Sequence, residues 1–270
     1  MLSAGLDVQA AWDFDPAAVR VHNAWHPSVP CELRDCHTVA PDELAGRFVW
    51  ASPSCKPYSN ANRYANRRGK KHAEYYPFAE LAWQTRLARV VVIENVPGLV
   101  ESPEGRAEMA ALAEELRSQG RAWCPYILRA ADYGVPQLRR RVIIVIGALP
   151  LFGAERQPDE LYTAPVASEG KGGPGRPART VVTTQRVGLH RAPTSSEHPG
   201  AVGTNPRSRE VNFTGRTLAE CAALQGVPVP QGMSLTAGYR LVGNAVPPRM
   251  AAGICRDVLA AIADESEVAA

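Results

Sequence analysis

The 270-residue sequence contains no uninterrupted apolar run of about 18 residues, so no membrane-spanning helix is expected. Met1 to Ala11 has neither a basic start nor a cleavable apolar core, and no secretory leader is expected. No cysteine pair is spaced CxxC and no Cys/His set has zinc-ligand spacing, so no metal site is expected. Internal repeats and heptads are also lacking, which excludes solenoids and coiled coils. Charge of either sign is nearly balanced, with 30 Lys and Arg against 27 Asp and Glu. A net charge of +3 permits a polyanionic partner without requiring one.

What is present fits one sizeable domain, or a domain with a small lobe. The chain is 45% hydrophobic and 21% charged, ordinary for a globular protein with a real core. Its six cysteines are scattered, which points to free thiols in a reducing, cytoplasmic setting. Each is by default a small buried hydrophobe.

Short β-branched runs alternate with amphipathic stretches through the first two-thirds of the chain. Strands are expected at Val8 to Trp12, at a segment ending Phe48-Val49-Trp50, at Arg89 to Glu94 and at Val142 to Ile146. Helices are expected from Pro16, across Pro77 to Leu87, and from Glu104 to Ser118 before Gly120. This alternation predicts an α/β fold with a twisted, mainly parallel sheet. Residues 151–215 are rich in Gly, Pro, Ser, Thr and Arg, with one β segment at Thr180 to Thr184. Helical patterning returns at Leu218 to Leu224 and from Pro248 to Ile262. A catalytic α/β domain over 1–147, a small variable region over 148–215 and a returning segment over 216–270 are therefore expected.

Ligands of open α/β sheets sit beyond the carboxyl ends of the strands. Two such ends carry unusual polar residues: Ser52-Pro53-Ser54-Cys55-Lys56 after Trp50, and Glu94-Asn95-Val96 after Ile93. Further along stand Tyr133-Gly134-Val135-Pro136-Gln137-Leu138-Arg139-Arg140-Arg141, then Arg216-Thr217-Leu218 through Gln225-Gly226-Val227-Pro228. Tyr239-Arg240-Leu241-Val242-Gly243-Asn244-Ala245-Val246-Pro247-Pro248 completes the series. These five segments, in this order, resemble the cytosine-5 DNA methyltransferases over roughly residues 7–150 and 216–260.

The resemblance implies an S-adenosylmethionine-dependent, Rossmann-like methyltransferase sheet with a small target-recognition lobe. It implies methyl transfer to carbon 5 of a flipped-out cytosine in double-stranded DNA, of the kind used in restriction-modification. Cytosine carbon 5 is a poor nucleophile, and thiolate attack on carbon 6 makes an enamine that accepts the methyl group. Cys55 is the implied nucleophile and Glu94 the partner of ring nitrogen 3, with Asn95 holding the cysteine loop. Arg141 would bind the cytosine oxygen and Arg139 organise the loop. Asp13, Phe14, Asp35, Asn244 and Val246 would hold S-adenosylmethionine. DNA contacts are expected from Arg63, Arg67, Arg68, Lys70 and Lys71, which intersperse with Asn and Tyr side chains, and from Gln137, Arg179 and Arg186.

Three departures qualify the resemblance. The family's opening strand and glycine-rich turn have no counterpart before Met1-Leu2-Ser3-Ala4-Gly5. A misplaced start, a fragment completed by a second chain and a decayed copy are the alternative readings. Ser54 and Lys56 flank the cysteine where the family has proline and glutamine, and Lys56 either lowers the thiol pKa or contacts phosphate. The variable region is short. A non-catalytic relative that retains DNA or partner binding remains the competing function. A cysteine hydrolase ranks lower, because neither His37 nor His72 is suitably placed for Cys55.

Overall fold

The computed structural model describes residues 1–58, 75–150, 152, 190–191, 213–214 and 217–268. Strand β4 (Val90–Asn95) is buried along its whole length. Its Val-Val-Val-Ile run suits a strand covered on both faces. It pairs in parallel with β3 (Phe48–Ala51) and antiparallel with β6 (Arg140–Ile146). β6 in turn pairs antiparallel with β5 (Trp123–Arg129), giving the order β3-β4-β6-β5. A second, two-stranded parallel sheet joins β1 (Ala11–Asp13) to β2 (Cys31–Leu33). A short antiparallel ladder, β7 (His190–Arg191) with β8 (Phe213–Thr214), lies in the variable region.

The main sheet is thus mixed, not mainly parallel. Val142 to Ile146 lies as expected in a buried strand, but that strand runs against β4. Only ten residues separate Arg129 from Arg140, too few for a parallel crossover, so β5 must double back into β6.

Local chemistry sets the helices. α1 (Pro16–Trp25) has Pro16 in its first turn, and Asp15 caps it by accepting from the Ala17 amide. α2 (Phe78–Gln84) follows. α3 (Gly98–Glu101) leads directly into α4 (Pro103–Ser118), which Ser102 caps through the Gly105 amide. α5 (Leu218–Gln225) opens with a Thr217/Glu220 capping box and closes at Gly226, whose φ of 71° lies in the left-handed region glycine tolerates. α6 (Leu235–Asn244) and α7 (Pro248–Val268) complete the described chain.

Strand alternation sends the apolar side chains to two cores. Val91, Ile93, Val142, Ile144 and Ile146 pack with Phe78, Leu81, Leu99, Leu112 and Leu116 from α2, α3 and α4. Val90, Val92, Ile143 and Val145 meet Met250, Ile254 and Val258 of α7 on the other face. The C-terminal helix therefore covers the sheet built by the first half of the chain. Among the described residues, no helix is long and apolar enough to cross a membrane, and no His, Cys, Asp and Glu group is placed to hold a metal.

Candidate active site

Register explains the pairing of Glu94 with Arg141. Glu94 lies opposite Ile143, and Arg141 is two residues before Ile143 on the same strand, hence on the same sheet face. Their side chains form an ion pair, Arg141 Nε to Glu94 Oε1 at 2.6 Å, with 11% and 9% of the side-chain surfaces exposed. Asn95, one position on, points to the opposite face. Its Nδ2 donates to the Pro53 carbonyl at 3.1 Å, while its Oδ1 accepts from the Val96 amide at 2.9 Å. The end of β4 thus holds the cysteine loop with one side chain and places a carboxylate beside it with another.

Cys55 is a free, half-buried thiol. Burial pushes its pKa above the ordinary value, with Arg141 and Arg139 pulling it down and Glu94 pushing it up. The cations named as acting on it come from the start of β6 and the residue before it.

Arg139 is buried to 1% exposure. Its Nη2 donates to the carbonyls of Gly243 at 3.0 Å and Ala245 at 3.1 Å, so it ties the cysteine neighbourhood to the end of α6. Burial, then the charge of Arg141, lower its pKa. Gln137, expected on DNA, has no exposed surface. Its Nε2 donates to the Leu224 carbonyl at 2.9 Å and to Gln225 Oε1 at 2.6 Å. Gln225 Nε2 continues the network to the Val242 and Ala245 carbonyls at 2.8 and 2.9 Å. Gln137 is a buried brace in this structure, because its amide is committed to α5. Gln225 carries the matching role; the sequence placed it within a resembling segment but assigned it no site role of its own.

A cavity of about 1090 Å³ opens beyond β1 and β2 and continues between β1 and β3. Asp13, Phe14 and Asp35 line it, as does Pro248. Asn244 and Val246 are not among its lining residues. Phe14 is 51% exposed, free to stack on a planar ring. Burial raises the pKa of Asp13, whose Oδ1 accepts from the Asp15 amide at 2.8 Å. Asp15 forms a 2.5 Å ion pair with Arg240, so α6 braces the lip of the cavity. Strand-end carboxylates and an open aromatic face fit the hydroxyls and base of an adenosine group.

His37 bonds Glu80 at 2.8 Å and stacks edge-on against Tyr76, so it does not serve Cys55. Arg63, Arg67, Arg68, Lys70, Lys71, Arg179 and Arg186 lie outside the described residues, as do His72 and the β segment expected at Thr180 to Thr184.

Residues 1–151 match the family of C-5 cytosine-specific DNA methylases. The chain belongs to this family. Type II methyltransferase M.AgeI of Thalassovita gelatinovora is 31% identical over 154 residues, covering 52% of this chain and 34% of the relative. Type II methyltransferase M.SacI of Streptomyces achromogenes is 30% identical over 155 residues, 52% of this chain and 39% of the relative. The matches thus span little more than a third of either relative's length. Among solved structures, a DNMT2 mutant of Spodoptera frugiperda superposes with a TM-score of 0.63 at 16% identity, over 96% of this chain and 94% of that one. Dnmt2 methyltransferase of S. pombe gives 0.59 at 17% identity, over 95% and 92%. These superpositions place the fold with the S-adenosylmethionine-dependent methyltransferases.

Proposed function

We propose that this C-5 cytosine methylase chain transfers a methyl group from S-adenosylmethionine to carbon 5 of cytosine in double-stranded DNA, through a covalent bond from Cys55. The observation that carries this reading is the junction at the end of β4. Asn95 holds the Pro53 carbonyl there, and Glu94 and Arg141 form a 2.6 Å pair whose charges both act on the Cys55 thiol. On the cytosine edge, nitrogen 3 and the exocyclic oxygen are adjacent. An adjacent carboxyl and guanidinium match them, Glu94 to the nitrogen and Arg141 to the oxygen.

The Cys55 thiolate adds to carbon 6 while Glu94 supplies the hydrogen bond or proton to nitrogen 3, and electron density moves to carbon 5. S-adenosylmethionine, when bound, supplies the electrophilic methyl group. Loss of the carbon 5 proton then expels Cys55 and restores the aromatic ring. Asp13 and Asp35 would hold the adenosine hydroxyls and amine, and Phe14 its base. Removing the base from the duplex costs roughly a few kcal/mol, which backbone contacts must offset. Arg63, Arg67, Arg68, Lys70 and Lys71 are proposed for that contact, with Arg179 and Arg186 in the variable region. Residues 148–215 are proposed as the recognition lobe, between the catalytic domain of 1–147 and the returning segment of 216–270.

A second polypeptide is the proposed partner at the split sheet. Among the described residues nothing pairs with the outer edge of β3 or of β1, and both strands line the same cavity. The Arg47 side chain bonds that of Gln9, joining the amino-terminal ends of the two strands. That contact brings the starts of the two strands together, and an extended apolar segment from a partner is proposed to pair with their open edges.

Transfer of labelled methyl from S-adenosylmethionine to mixed-sequence duplex DNA tests the function. 5-Methylcytosine is the expected product after digestion to nucleosides. Label on adenine, or on the exocyclic nitrogen of cytosine, would overturn the proposal.

A further inference from the structure

Asp13 and Phe14 end β1 and open the short turn into α1, and that turn is held from three sides. The Arg34 amide donates to the Asp13 carbonyl at 3.0 Å, so β2 fixes the start of its backbone. The Asp15 amide donates to Asp13 Oδ1 at 2.8 Å, which ties the Asp13 carboxylate to the chain two residues on. The two oxygens of Asp15 are in turn divided. Oδ1 accepts from the Ala17 amide at 2.9 Å and caps α1, while Oδ2 accepts from Arg240 Nη1 at 2.5 Å. The third hold thus comes from α6.

α6 is anchored without any help from Arg240. A Cβ added at Gly238 would stand 2.6 Å from Leu218 Cδ2, so the helix lies directly against α5. The carbonyls at its end are also taken: Val242 and Ala245 accept from Gln225, and Gly243 and Ala245 accept from Arg139. Arg240 therefore reaches the turn from a fixed base. Phe14 needs such an outside hold, because it is 51% exposed and the core grips it little. Its direction follows the backbone between Asp13 and Asp15.

We propose that Arg240 is a positioning residue for the cofactor, holding Asp15 so that Asp13 and Phe14 face the adenosine group of S-adenosylmethionine. This rests on the reading of the cavity as the cofactor site. Arg240 is not among the residues that line that cavity, so its action passes through Asp15. The end of the same helix holds Arg139, and one element thereby ties the cofactor turn to the neighbourhood of Cys55. With 44% of the Arg240 side chain and 20% of that of Asp15 exposed, the pair sets a several-fold effect and not an abolition.

Arg240→Met keeps the length of the side chain and removes its charge and donors. Asp15→Asn removes the charge and keeps a capping oxygen for the Ala17 amide. In the full chain, each is expected to raise the calorimetric Kd and the KM for S-adenosylmethionine roughly fivefold, with kcat at saturating cofactor and KM for DNA unchanged. Arg240→Lys should recover part of the loss. The double variant should bind no more weakly than the weaker single one, since both remove the same contact. Without cofactor, Arg240→Met should speed hydrogen exchange at the Asp15 and Ala17 amides. Wild-type exchange at both amides, an unchanged Kd in Arg240→Met, multiplying losses in the double variant, or an equal loss in KM for DNA would overturn the proposal. A wild-type chain that binds no S-adenosylmethionine, while Arg240→Met still speeds exchange at Asp15, would instead defeat the reading of the cavity on which the proposal rests.

Discussion

At the residue scale, the central feature is a thiol whose burial opposes the ionisation that its proposed chemistry needs. Burial raises the Cys55 pKa, and Arg141 is the largest influence in the other direction. The alkylation rate of Cys55 by iodoacetamide should therefore climb with pH through a midpoint above the ordinary thiol value of 9.0. Arg141→Met should move that midpoint higher, because it removes a stabilising positive charge. The shift also has a stability sign. A thiol whose pKa is higher folded than unfolded stabilises the fold below the unfolded value and loses that contribution as pH rises through the folded one. Glu94→Ala leaves Arg141 uncompensated beside the core and is expected to cost about 3 kcal/mol in urea unfolding. An unchanged midpoint would mean that water already compensates that charge.

At the scale of elements, the buried β4 and the Ala- and Leu-rich α4 were legible because each carries an unbroken local signal over its length. β2 was not, being only three residues long with two of them exposed. β5 was hidden by Pro125 and by its alternation of partly buried and exposed positions, which lacks the apolar density of its neighbour. The direction of β6 was missed because a strand buried on both faces reads alike in either sense. Cys55, Glu94, Asn95 and Arg141 were singled out through their motifs, and the structure pairs Glu94 with Arg141 and ties Asn95 to the cysteine loop. Gln137 was misplaced because an amide suits a base edge and a buried carbonyl equally well, and only Gln225 and the end of α6 decide between them. Gln225→Ala should accordingly leave the Val242 and Ala245 carbonyls and the Gln137 amide short of partners. A loss of at least about 2 kcal/mol is expected by urea unfolding. Gly98→Ala should displace the Tyr58 backbone and lower methyl transfer, since its Cβ has no room.

At the scale of the whole molecule, two sheets flank one cavity. β1 and β3 both line it, and among the described residues each pairs on one side alone. The adenosine contacts proposed for Asp13, Phe14 and Asp35 belong to the small sheet, whereas Cys55 and Glu94 belong to the large one. A strand seated between them would fix the cofactor relative to the nucleophile. S-adenosylmethionine is expected to bind weakly to the 270-residue chain alone in calorimetry, and more tightly once a partner strand protects β1 and β3 amides from hydrogen exchange. Tight binding without that protection would show that the gap does not govern the cofactor site.

The central claim is that Cys55 forms the bond to cytosine. Its most direct test is mass-spectrometric mapping of the protein trapped, with S-adenosylmethionine, on a mixed-sequence duplex in which 5-fluorocytosine replaces cytosine. Fluorine at carbon 5 cannot leave as a proton does, so the adduct persists. The account predicts one modified peptide, carrying the pyrimidine on Cys55, and no trapping by Cys55→Ala. An adduct on another cysteine, trapping that survives Cys55→Ala, or methylated cytosine made by Cys55→Ala would contradict it.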